Sequence, residues 1–157
     1  TQLIFIIVVL ILYQLFKTVN KNQSMLMVVF ALVAAPIAML NTLNRVAALE
    51  SLNNPNQMMF FLNLNVHGMM IATIFWGLWL FPLGYLIYKS RYFPRIIGVL
   101  VIIAGFGYVL DSITHFILPN IAIFATIVSI LIMGEMIFIL WLIIRGAKIP
   151  EMKTNLT

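Results

Sequence analysis

The chain contains no cysteine. That excludes disulfides, thiolate metal sites and cysteine nucleophiles, and it leaves the redox compartment undecided. Charge is nearly as scarce, at 8% of residues, with four carboxylates in the whole chain. A soluble domain of 157 residues needs a charged shell, and one that is 64% apolar cannot build it. The start, TQLIFIIVVLILYQLF, has no initiator methionine, no basic leader and no small-residue cleavage site, so it is not a signal peptide. It reads as a helix entered part-way, with one or more helices expected upstream. The net charge of +5 comes from basic residues scattered through short loops, not gathered in a patch, so nucleic acid is not an expected partner.

What remains is long uncharged apolar runs, and a mean hydropathy of +1.12. Such runs mean membrane spans. Five are visible, at about 3–16, 24–43, 60–88, 96–118 and 121–144, in one all-α polytopic transmembrane bundle. The first is short for a hydrocarbon core of about 30 Å crossed at about 1.5 Å per residue. The second holds Pro36, which is expected to kink it. Between the second and third lies the one long polar connection, Asn44 to Gln57; its NRVAALES portion either prolongs the helix or lies at the interface. The third exceeds a straight crossing and is expected to tilt, bend at Pro82 or protrude. Pro94 suits the first turn of the fourth, and Pro119-Asn120 leaves room only for a tight turn before the fifth.

The basic residues order these spans. Lys17 and Lys21, then Lys89, Arg91 and Arg95, then Arg145, Lys148 and Lys153 fall on one side, and only Arg45 falls on the other. By the positive-inside rule the tail 145–157 is cytoplasmic, and the protein is a multi-pass protein of a cell membrane. Tyr85, Tyr88, Tyr92 and Trp141 sit where an inner aromatic belt belongs. Small residues recur at helix-contact spacing: Ala31 and Ala35, Gly68 and Ala72, Ala125 and Ser129. Gly77 and Gly84, like Gly98 and Gly105, stand seven apart. These read as internal packing faces, with a homo-oligomer or partner-subunit face as the alternative.

Ionisable residues inside a span are costly and are the default functional candidates. Four qualify: His67, Asp111, His115 and Glu135. By helical rise, His67 and Asp111 both lie roughly 10 Å below the outer boundary, and His115 is one turn from Asp111 on the same face. Asn63 and Asn65 on the third span, and Asn41, Asn44 and Arg45 on the second, fall in the same leaflet. The expectation is one outward-facing polar cluster, because an Asp paired with His or Arg in low dielectric costs less than either alone. Its plainest reading is a network that fixes helix register. A sharper reading is a cavity for a small ligand, lined by His67, Asp111, His115, Asn63 and Arg45. A third is a metal-dependent hydrolase in which His67, Asp111 and His115 hold a zinc ion with one open position; two of these share a helix at a spacing common by chance. Glu135 stands apart near the middle of the fifth span. It reads as a neutral Glu bonded to a neighbouring helix or, more sharply, as the carboxylate of a proton-linked carrier or sensor subunit. No inverted repeat supports a carrier, and no nucleophile-elbow, zinc-protease, phosphate-loop or dinucleotide motif is present, so neither an enzyme nor a cofactor is the favoured expectation.

The run FWGLWLFPLGYLIYKS from Phe75 to Ser90, then Phe93-Pro94-Arg95, Gly98, Gly105, Tyr108 and Asp111, resembles a bacterial membrane family, domain-of-unknown-function family 4386. The likeness is strongest from Phe75 to Leu118, and His67-Gly68 resembles the family's His-Gly step. Pro82 departs from it, a Leu being commoner there. The resemblance implies a polytopic bacterial membrane protein with further helices at the N-terminus, and it carries no activity or catalytic residue.

Overall fold

The computed structural model describes residues 2–117 and 122–147. They form five helices: α1 Gln2–Phe16, α2 Lys21–Glu50, α3 Pro55–Ser90, α4 Arg95–Ile117 and α5 Ala122–Arg145. The all-α expectation holds, and each expected span lies on one helix. α2 and α3 run well past the apolar segments that announced them. NRVAALE does prolong α2, which continues unbroken through Pro36 to Glu50. The Pro119-Asn120 turn, the tail beyond Ala147 with Lys148 and Lys153, and the side chains of Ala125 and Ser129 lie outside the described residues.

Local chemistry fixes the helix ends. Asn20 caps α2 by accepting from the Gln23 amide at 3.1 Å. Asn54 does the same for α3 from Gln57, with Pro55 in the first turn where its missing N–H costs nothing. α3 ends at Arg91, whose φ of 60° is left-handed and turns the chain toward Pro94 and α4.

The packing is inside-out relative to a soluble bundle. Much of the interior is made of small residues: Ala31, Ala34, Ala35 and Ala38 on α2, Ala72 on α3 and Ala104 on α4. Leu, Ile, Met and Phe side chains stand exposed along every described helix, among them Leu10, Leu40, Ile96 and Ile143. In water such a surface would aggregate; in lipid it is the required solvent contact. α2, α3 and α4 are each long and apolar enough to cross a membrane, and α1 is a shorter apolar helix.

Neighbours in sequence pack as neighbours in space, α1 on α2, α2 on α3, α3 on α4 and α4 on α5. The α3–α4 seam brings backbone against backbone at two levels. A Cβ on Gly84 would sit 2.7 Å from the Gly98 carbonyl oxygen, and one on Gly77 would sit 2.9 Å from that of Gly105. The reverse approaches are as tight. Ser112 then donates to the Met70 carbonyl at 3.0 Å. Each step of seven along α3 is matched by seven back along α4, the repeat of a left-handed crossing. α5 meets α4 at Gly134, where a side chain would overlap the Leu100 carbonyl.

One end of the bundle is basic and aromatic. Phe16 stacks on Tyr92, and Phe93 lies between Phe16 and Phe138, which ties α1, the α3–α4 turn and α5 together there. Lys89 donates to the Tyr85 hydroxyl at 3.1 Å, Arg95 lies over the Tyr88 ring and Arg145 over Trp141. Lys17, Lys21, Lys89, Arg91, Arg95 and Arg145 therefore share one end, as the basic-residue count required.

Candidate functional site

Three polar groupings interrupt the apolar bundle. The first joins α2 to α3. Asn41 donates its amide to the Asn65 main-chain carbonyl at 2.8 Å, and Asn65 returns the bond to the Asn41 carbonyl at 3.1 Å. Asn44 donates to Asn41 Oδ1 at 2.8 Å, and Arg45 Nε donates to Asn65 Oδ1 at 3.2 Å. Asn41 and Asn65 are both buried, and every polar atom of their amides is engaged. Gly68 makes the arrangement possible, because a Cβ there would overlap Asn41 Oδ1. Beside this network lies a cavity of about 440 Å³, lined by Gln2, Asn41, Thr42, Arg45 and Asn65 with apolar neighbours. Arg45 is exposed and commits only its Nε to the protein among the described residues. Its terminal nitrogens are thus left for something else.

The second grouping joins α3 to α4. His67 Nδ1 and His115 Nε2 are 3.3 Å apart, and Phe116 flanks His67 at 6.1 Å between ring centres. The sequence set His67 level with Asp111; the contact it makes is with His115, one turn further along α4. His67 is exposed, and His115 and Asp111 are half-buried. The Asp111 carboxylate accepts no hydrogen bond among the described residues. No three His, Cys, Asp or Glu side chains among the described residues gather as a metal ion would require. The trio His67, Asp111 and His115 does not converge as a ligand set, and the hydrolase reading loses the geometry it needs.

The single outer cluster expected from sequence is therefore two. The reason is angular. Asn65 and His67 are two residues apart on α3, about 200° around the helix, so one faces α2 and the other faces α4. Asn63 is exposed and makes no side-chain hydrogen bond among the described residues. Of the candidate cavity residues, only Arg45 lines the outer cavity; His67, Asp111, His115 and Asn63 do not.

The third grouping was not foreseen as a pair. Tyr108 on α4 donates its hydroxyl to Glu135 Oε2 on α5 at 2.8 Å. Glu135 is half-buried and lies beside two neighbouring cavities between α1, α3 and α5. One, of about 300 Å³, is lined by Gln2, Phe5, Trp76, Trp79, Tyr108 and Glu135. The other, of about 360 Å³, is walled by apolar side chains including Leu12, Leu83, Phe138 and Leu142. The sequence signal was there: a mid-span tyrosine on the helix that precedes a mid-span glutamate needs an acceptor as much as the glutamate needs a donor.

Residues 1–146 match the family described as a domain of unknown function, DUF4386. An uncharacterized protein of Archaeoglobus fulgidus is 36% identical over 140 residues, which cover 89% of this chain and 75% of that protein. The likeness thus reaches into the archaea. No solved structure matches the chain.

Proposed function

The chain belongs to the DUF4386 family, and from that premise we propose that it is a multi-pass cell-membrane protein that binds a small anionic ligand in the cavity at the outer ends of α2 and α3. The membrane placement rests on the apolar helices and the exposed aliphatic surface. The orientation rests on the basic, aromatic end, which the positive-inside rule puts in the cytoplasm together with the C-terminus. A bacterial inner membrane, implied by the residue pattern, and an archaeal cell membrane share that sidedness.

The observation that carries the ligand reading is the free face of Arg45 at a polar cavity of about 440 Å³. The cavity is large enough for a metabolite-sized molecule. No carboxylate lines it, and hydrogen-bonding groups from Gln2, Asn41 and Thr42 accompany the guanidinium. A guanidinium with two unused donor nitrogens suits the fork geometry of a carboxylate or phosphate. Asn41 and Asn65 each donate to the other's main chain and accept from Asn44 and Arg45, and they form one wall.

The test is thermal unfolding of the full-length protein in detergent against a panel of small carboxylates and phosphates. At a hundred times its dissociation constant a ligand stabilises by about 2.7 kcal/mol, a shift of several degrees. At least one anion should raise the midpoint, and Arg45→Gln should remove that rise while lowering the midpoint of the unliganded protein by no more than a few degrees for its lost bond to Asn65. A panel that shifts nothing, or an unchanged shift in Arg45→Gln, sinks the reading.

A further inference from the structure

Glu135 is placed as no purely structural carboxyl needs to be. Its Tyr108 partner stands 13 residues into α4 from Arg95, about 20 Å from the basic end of a crossing helix. In a hydrocarbon core of about 30 Å that leaves it at least about 10 Å from either boundary. At this depth a carboxylate is costly unless something of opposite charge accompanies it. No Lys, Arg or His side chain lines either cavity beside it among the described residues. Its surroundings are aromatic instead: Phe5, Trp76, Trp79 and Tyr108, with Phe5 set edge-on to Trp79 at 5.2 Å between ring centres.

We propose that Glu135, Tyr108, Trp76, Trp79 and Phe5 form a binding site for a lipophilic organic monocation, with the adjoining aliphatic cavity between α1 and α5 taking its apolar part. A carboxylate with several aromatic rings is the donor set that recognises a diffuse positive charge, through the ion pair and the electron-rich ring faces together. A small hydrated cation would lose its water there without a ring of oxygens to replace it; a phosphonium or quaternary ammonium carries its charge under hydrocarbon and surrenders little. The cavity of about 360 Å³ shares Phe5, Trp79 and Glu135 with the polar crevice, so head and tail sites are contiguous. Its rim residues Val8, Ile139 and Ile143 are exposed to lipid, which is where a lipophilic cation concentrates. Depth decides the source. A phospholipid's choline or ethanolamine group is held at the headgroup level and does not reach the level of Tyr108. The occupant is therefore a free cation. This site shares only Gln2 with the Arg45 cavity, and its test reads a different probe.

The experiment uses full-length protein in an uncharged detergent and two probes of one shape and opposite sign, tetraphenylphosphonium and tetraphenylborate. Binding is followed by tryptophan fluorescence and by equilibrium dialysis. Saturable binding of one phosphonium per chain is expected, with quenching, and tetraphenylborate should neither bind saturably nor compete. Glu135→Gln should weaken phosphonium binding at least tenfold and Trp76→Leu severalfold, with unfolding midpoints within a few degrees of the parent. Equal binding of the two probes to the unmodified protein overturns the proposal without reference to any variant's folding. So does Glu135→Gln protein that is folded and binds the phosphonium as the parent does. Competition by dodecylphosphocholine as strong as that of dodecyltrimethylammonium would place a lipid headgroup in the site and overturn the free-cation assignment.

Discussion

α3 has two seams, and they are built on opposite principles. Toward α4 its tightest approaches are bare: Gly77 and Gly84 present backbone to Gly105 and Gly98, with Phe81 packed on Phe106 beside them. Toward α2 it offers alanine-sized space and one buried amide exchange, Asn41 with Asn65. The first seam sets register chiefly by steric exclusion, with the Ser112–Met70 bond in support, and the second chiefly by hydrogen bonds. The lesson is about where chemistry can live. A seam of backbone on backbone has no room for a ligand, whereas a seam held apart by amides leaves an outer cavity at its edge.

The contrast can be broken at its stiffest point. Gly98→Leu would drive a side chain into the Gly84 carbonyl and the Tyr88 backbone, neither of which can yield alone. A loss of about 3 kcal/mol or more is expected, read as a collapse of the thermal midpoint in detergent. Gly68→Ala tests the other seam. Its Cβ meets the Asn41 side chain, so about 2 kcal/mol should be lost, and Asn41→Ala in the same chain should restore part of it. If the double variant is no better than the single, the glycine is serving some contact other than Asn41.

Removing an amide is expected to cost less than filling a glycine. Asn65→Ala strips α2 of a donor and Arg45 of its acceptor, and about 1 to 2 kcal/mol should follow. Tyr108→Phe deletes a hydrogen bond of the sort that averages about 0.6 kcal/mol in membrane bundles, so the midpoint should hardly move. The smallest effect belongs to the histidines. His67 is exposed, and His67→Ala should change stability by less than about 0.5 kcal/mol. A larger loss would make the His67–His115 pair a structural clasp on the α4 side and erase the distinction between the seams.

The sequence announced the helices because hydropathy depends on composition along the chain and not on partners. It marked close-packing faces on α3 and α4 with glycine pairs seven apart, and the structure joins them to each other. It set His67 level with Asp111 by helical rise, one turn short of His115, the residue that His67 meets. It misjudged the polar cluster because depth was counted and angle was not: Asn65 and His67 are close in height and on opposite faces of one helix. It gave Glu135 a neighbouring helix to bond and no named partner, because which residues meet across two helices depends on rotations that a single span does not carry. The amide exchange of Asn41 and Asn65 shows the same limit, since both were counted in one polar cluster and nothing along the chain paired them.

The glycine seam also restricts how the two helices can ever move against each other. A slip of one or two residues would push a side chain into the carbonyl a glycine now faces. A slip of a whole heptad, about 10.5 Å, would instead set Gly77 against Gly98 and rebuild half the contact. α3 and α4 thus form a ratchet with widely spaced teeth, and the Ser112 bond to Met70 is the pawl that holds the present notch. Sliding of α3 along α4 is thus confined to widely spaced steps.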